Sequence, residues 1–156
     1  MPVLHFGVID IPYTEFDNGK PKKRKKSEAP PPTTGDVAEW LENKYHIMEI
    51  FYKKHEKEIS AYIEADLKGQ FANILAGISG QNTYSLNEST AKMESDLKRF
   101  ISSREAEQSG IKGTPTQAAL DGINHRFKNP KTGVRRPSFR DTGQYMASMK
   151  VWSTKK

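Results

Sequence analysis

The 156-residue chain contains no cysteine. This excludes disulfide frameworks, thiolate nucleophiles and cysteine-based zinc sites, and it makes a reducing compartment admissible. Apolar residues are also scarce: 35% are hydrophobic against 28% charged, a balance that suits an elongated or oligomeric protein better than an enzyme built around a deep pocket. No apolar run approaches the ~20 residues of a membrane span, and Asp10 interrupts the apolar start before a signal-peptide core can form. The expectation is a protein made in the cytoplasm, with no membrane partner.

Catalytic and metal-binding patterns are scarce too. Of the histidines His5, His46, His55 and His125, the middle pair lies nine residues apart, not at the i, i+4 spacing that puts two imidazoles on one metal. His55 falls in an apolar stripe and His125 adjoins Arg126. Neither a glycine-rich phosphate cradle nor a nucleophile elbow occurs. Glu39, Glu42, Glu49, Glu56 and Glu64 read as a solvated helix face balanced by Lys53, Lys57 and Lys68. The chain is therefore read as no enzyme, with no metal and no cofactor.

What is present is segregated charge. Residues 1–19 carry −3, residues 20–26 +6, residues 27–125 −5 and residues 126–156 +8. An acidic body and a basic end suit one subunit meeting the opposite face of its neighbour as well as they suit nucleic acid. Lys20, Lys22, Lys23, Arg24, Lys25 and Lys26 precede a run of three prolines, where like charges repel and proline removes donors. Three readings fit this stretch: a solvated linker, an arm that contacts DNA phosphates, and a nuclear-import signal.

Residues 3–11, β-branched and aromatic with Leu4, Phe6 and Val8 alternating, read as a strand, paired with the apolar residues 149–152. Asp36, with Glu39 three residues on, predicts the N-cap of a long helix over 36–76. Its apolar stripe (Val37, Leu41, Met48, Phe51, His55, Ile59, Tyr62, Ile63, Leu67, Phe71, Ile74 and Leu75) would be about 60 Å long at ~1.5 Å per residue, bent or split at Gly69. A second helix is expected over 87–108, antiparallel to the first. A third starts at Thr114 with Pro115 and Gln117 behind it, carries Leu120, Ile123 and Phe127, and ends at Asn129-Pro130. The fold class is mainly helical α+β, a long amphipathic helix packed on shorter helices with a small sheet from the terminal segments. It is read as a single domain over 1–156: an N-terminal strand segment 1–19, a basic proline-rich flexible linker 20–34, a helical body 35–128 and a basic C-terminal docking segment 129–156.

In that last segment Arg135, Arg136, Phe139, Arg140, Asp141, Thr142, Gly143, Tyr145 and Trp152 compose a set typical of interfaces, where arginine and aromatic anchors dominate. Asp141, with Gln144 behind it, is expected to cap a short helix.

The string Pro137-Ser138-Phe139-Arg140-Asp141-Thr142-Gly143-Gln144-Tyr145, with Ser148 following, resembles the C-terminal signature of tailed-bacteriophage neck proteins, the tail-completion and virion-morphogenesis families. The wider layout is similar to siphophage proteins of that region in Ile11-Pro12-Tyr13, Gly35-Asp36-Val37-Ala38, Lys44-Tyr45-His46-Ile47-Met48 and Gly113-Thr114-Pro115-Thr116-Gln117-Ala118-Ala119. The insert at residues 20–32 departs from the pattern. The resemblance implies a structural virion protein made in the host cytoplasm and placed in the neck, as tail completion, tail terminator or head–tail connector. It implies a homo-oligomeric ring of about six or twelve copies closed by head-to-tail contacts. The implied partners are neighbouring neck, tail-tube or connector proteins, with non-specific contact to packaged DNA as a role for the basic insert. The alternative is a nucleic-acid-binding phage accessory protein that uses that insert and the C-terminal arginines.

Overall fold

Alternation in the first strand decides how the chain closes on itself. In the computed structural model, which describes residues 2–13, 16–17, 20–21, 30–78, 86–123, 132–140 and 143–155, the elements run in the following order. They are β1 (Pro2–Val8), β2 (Phe16–Asp17), β3 (Lys20–Pro21), α1 (Thr34–Tyr45), α2 (Ile47–Lys54), α3 (Glu56–Leu75), α4 (Asn87–Ser102), α5 (Glu105–Gln108), α6 (Gln117–Leu120), α7 (Gln144–Ser148) and β4 (Met149–Lys155). The architecture is mainly helical α+β, as the pattern predicts.

Strands β1 and β4 pair antiparallel, Leu4 opposite Ser153, Phe6 opposite Val151 and Val8 opposite Met149. With period 2 this sends Leu4, Phe6, Val8, Met149 and Val151 into the core. On the other face the His5 ring stacks on Trp152 at 5.3 Å. Gly7 makes room for that indole, because a Cβ there would lie 2.8 Å from its ring. The strand stops at Val8 rather than Ile11: the Ile9 amide donates to Ser148 O at 2.7 Å, the Thr34 amide to Ile11 O at 2.9 Å, and Pro12 bridges Thr33. Residues 9–13 thus turn away from the sheet to meet the start of α1. Beyond them β2 and β3 form a small antiparallel hairpin, Phe16 opposite Pro21 and Asp17 opposite Lys20, so the segment read as linker from residue 20 onward begins inside a paired element.

The expected single long helix is three. Its N-cap is Thr33, whose hydroxyl accepts the Asp36 amide while the Asp36 carboxylate accepts the Thr33 amide; Asp36 is the third helical residue of a capping box, not the cap. Helix α1 ends at His46, which is left-handed with φ 52°. Glu42 then caps the next helix from behind, one carboxylate oxygen taking the Met48 amide at 2.8 Å and the other the Glu49 amide at 3.1 Å. At His55, φ −104° and ψ 16°, the helix is interrupted again, yet the i→i−4 bonds His55 N to Phe51 O and Ile59 N to His55 O persist. The apolar spacing therefore continues through a break it does not reveal. Gly69 sits inside α3 and breaks nothing.

Helix α4 is the hub of the core. Met93, Leu97, Phe100 and Ile101, at three- and four-residue steps, are fully buried, facing Ile47 and Phe51 of α2, Ile59 of α3, Tyr145 of α7 and strand β4. Helix α3 lies antiparallel to it: His55 meets Glu105, Tyr62 donates to Asp96 at 2.8 Å, and Asp66 accepts the Ser89 amide at 2.9 Å. Arg104, left-handed with φ 65°, separates α4 from α5.

The third helix begins later and is shorter than expected. Thr114 donates to Ile111 O and precedes a cis bond to Pro115; the N-cap is Thr116, whose hydroxyl accepts the Ala119 amide. One turn later Gly122 ends it with φ 63°. Ile123 falls after the helix, and Phe127, Asn129 and Pro130 lie outside the described residues. Among the described residues no helix is long and apolar enough to cross a membrane.

Two glycine replacements should separate conformation from space. A Cβ on Gly122 would sit 2.5 Å from Val134 O on left-handed backbone, so Gly122→Ala is expected to destabilise by more than about 1–2 kcal/mol. Gly69 has open space around it, and Gly69→Ala should stabilise by about 0.5–1 kcal/mol. Urea midpoints of the two variants moving in the same direction would contradict this account.

Candidate functional site

Residues 132–140 contain neither helix nor strand, so their backbone groups must find partners elsewhere. The Gly133 amide donates to Asp121 O at 2.9 Å and the Arg136 amide to Ala119 O at 3.0 Å, tying the segment to the turn after α6. At its centre Ser138 is buried. Its amide and its hydroxyl both donate to Glu107 Oε1, at 2.7 and 2.8 Å, and its oxygen accepts the Thr116 amide at 3.0 Å. Arg135 completes the group by donating to Glu107 Oε2 at 2.9 Å. Burial, the largest influence on the Glu107 carboxyl, pushes its pKa up. The Ser138 amide, the Ser138 hydroxyl and Arg135 together outweigh it and hold the carboxyl below the usual glutamate range.

The C-terminal residues read as an outward docking set divide on inspection. Arg136 turns inward, donating to Ile123 O at 2.7 Å and to Arg140 O at 2.8 Å. Phe139, left-handed with φ 67°, packs its ring edge-on against Tyr45 at 4.9 Å. Tyr145 is 4% exposed. Gly143, φ 83°, occupies the N-cap of α7, and no side chain caps that turn from this position; Asp141, expected there, and Thr142 lie outside the described residues. Arg135 spends its charge on Glu107. Among the described members of the set, those exposed to solvent are Arg135, Arg140 and the half-exposed Trp152. Of the basic insert, Lys20 belongs to β3, and Lys22, Lys23, Arg24, Lys25 and Lys26 lie outside the described residues.

Glu42, His46 and Glu49 bring ligand-type atoms within 4.8 Å of one another. Both Glu42 oxygens already accept amides of α2, and Glu49 pairs with Lys53 and, at 3.3 Å, with His46. A helix junction accounts for the grouping.

An exposed apolar feature lies elsewhere. The Asp66–Ser89 bond sets the first turn of α4 level with Asp66, yet α3 continues to Leu75. Those nine further residues extend it by about 14 Å at ~1.5 Å per residue. Along this overhang Phe71, Ile74 and Leu75, at the i, i+3, i+4 spacing of one helix face, are 55%, 50% and 88% exposed, and Ile78, past the turn at Gly77 that follows the helix, is 70% exposed. Phe71, Ile74 and Leu75 belong to the apolar stripe expected of the long helix. The stripe is continuous, but α4 starts too late to cover its end.

Compared with known protein families, curated proteins and solved structures, the chain matches none.

The Glu107 cluster should show itself in the acid limb of stability. Because the folded pKa is depressed, its contribution is full above the unfolded value of about 4.3 and is lost as pH falls through the lower folded value. Glu107→Gln is expected to cost about 1.5–3 kcal/mol near neutral pH and to lose less on acidification than the parent. Superimposable pH profiles in urea denaturation would exclude this role.

Proposed function

We propose that the chain is a structural subunit of a tailed-bacteriophage virion at the head–tail junction, where copies of it assemble into a ring. The observation that carries the assembly is the α3 overhang, with Phe71, Ile74 and Leu75 exposed on one face and Ile78 exposed just past its end, none of them covered by a described element of the same chain. A contiguous apolar face of this kind on a protein with so small a core is an association surface. Its occupant is a second copy, and the charge distribution supports that choice: a body of −5 over 27–125 and an end of +8 over 126–156 are complementary between copies but repel within a like-on-like contact. Head-to-tail contact of unlike faces is the geometry from which rings close. The placement in a phage neck rests on the resemblance of residues 137–145.

The inward turn of Arg136, Phe139 and Tyr145 moves the proposed contact from the C-terminal segment to α3, with Arg140 and Trp152 as further contact residues. The rival reading, nucleic-acid binding through the insert, rests on residues 20–26, of which Lys20 and Pro21 are described, as the β3 partners of Asp17 and Phe16.

Sedimentation velocity decides between them. The parent protein should sediment as a closed oligomer whose size does not grow with concentration, and Phe71→Asp with Leu75→Asp should reduce it to monomer at unchanged far-UV circular dichroism. A parent that stays monomeric at its highest soluble concentration, or an oligomer indifferent to both substitutions, overturns the proposal.

A further inference from the structure

Between α1, α6 and the residues that lead into α7 lies a cavity of about 210 Å³. Its walls are apolar where Val37, Leu41 and Phe139 line it, and cationic where Arg136 and Arg140 do. Tyr145, also in its lining, is 96% buried by its 4% exposure, and its hydroxyl has no hydrogen-bond partner. By contrast the hydroxyls of the buried threonines and serines among the described residues, Thr34, Ser89, Thr90, Ser138 and Ser148, are all bonded. A buried donor left without an acceptor is costly, and native proteins rarely retain one without a use.

The hydroxyl is a donor throughout the ordinary pH range, because burial first, and then the nearby Glu42 carboxylate and Tyr13, push its pKa up. The Glu42 carboxylate keeps its charge while its oxygens accept the amides of Met48 and Glu49, and Arg136 and Arg140 in the cavity wall oppose that charge. Arg140 stays exposed at this site with its guanidinium uncommitted to any described partner. The volume is below the ~300 Å³ of ordinary drug-sized sites, which fits one side chain or one small acid.

We propose that this cavity binds an apolar carboxylate, its hydrocarbon part against Val37, Leu41 and Phe139 and its carboxylate accepting from the Tyr145 hydroxyl in the field of Arg136 and Arg140. The same chemistry is offered by a free aromatic or branched acid and by the C-terminal carboxylate of a protein ending in an apolar residue.

The test is a titration of ¹⁵N-labelled full-length protein, followed by amide shifts at Gly143 and Tyr145, with three probes: 3-phenylpropionate, a tripeptide ending in free phenylalanine, and 3-phenylpropanol. Either acid should shift these amides saturably, and the alcohol should bind at least tenfold more weakly. The acid that binds more tightly identifies the source, a small molecule or a protein terminus. Tyr145→Phe should melt no lower than the parent and weaken the acid about tenfold or more. Leu41→Trp, which fills the cavity and keeps the hydroxyl, should abolish the shifts. Failure of both acids to bind, undiminished binding by Tyr145→Phe, or a marked fall in its melting temperature, which would assign the hydroxyl a structural bond, each overturns the proposal.

Discussion

Phe51 is the point on which the layers of the protein meet. Fully buried, its ring lies 5.6 Å from Phe100 of α4, 6.0 Å from Phe6 of β1 and 4.8 Å from His55 at the α2–α3 junction. The contacts with Phe6 and Phe100 are edge-on, the arrangement aromatic quadrupoles prefer, each adding about 0.5–1.5 kcal/mol beyond area burial. Through this residue the N-terminal strand, the broken helix and the central helix become one core. Phe6 reaches it because β1 is held in register by β4, so the two ends of the chain depend on the same contact. In a sequence with few apolar residues the core cannot be redundant, and removal of one such anchor forfeits about 3–5 kcal/mol.

Around that core, polar side chains do the work that a larger apolar interior would do elsewhere. Thr34 accepts the Ile11 amide and donates to Ile9 O, pinning the turn after β1 to the start of α1. Ser89 bonds Asp66 and Tyr62 O, fixing how far α4 extends along α3. Ser138 and Glu107 fasten a nine-residue irregular segment to α5 and the turn before α6. Each is a short side chain bonded to backbone across a gap of more than twenty residues. Such bonds contribute modestly when made and cost more when broken, so they act as positional constraints rather than as sources of net stability.

How much of this the sequence discloses follows from the range of each interaction. Alternation in Leu4, Phe6 and Val8 and the spacing of Met93, Leu97, Phe100 and Ile101 are local, and they correctly indicate a terminal sheet and a central amphipathic helix. The break at His46 is not legible, because nothing in a histidine announces left-handed backbone; the cue that was available is Glu42, placed to cap the helix that follows. Gly69 misleads because a helix with open space around it tolerates glycine at modest cost. The C-terminal arginines and aromatics have interface composition, but composition has no direction: the carboxylate that pairs with Arg135, Glu107, lies 28 residues away. The overhang fails for a related reason. Periodicity marks Phe71, Ile74 and Leu75 as one face with Ile59 and Ile63, and only the Asp66–Ser89 bond, a tertiary contact, sets where the cover ends.

That overhang is also what makes an unpartnered helix affordable as a binding element. An isolated helix shorter than ~12–15 residues is marginal in water because nucleation is unfavourable. The last nine residues of α3 need no nucleation, since they propagate from a segment already packed on α4 between Ile59 and Asp66. The stripe is therefore presented in its binding shape, and docking does not bear the ordering cost of folding it. Burying Phe71, Ile74, Leu75 and Ile78 would release about 1.5–3 kcal/mol for each side chain fully covered, set against the several kcal/mol lost in association. For the ring proposed above, such a balance would give a contact that is weak for one pair and strong once the ring closes, because the closing subunit forms two contacts while losing its freedom once.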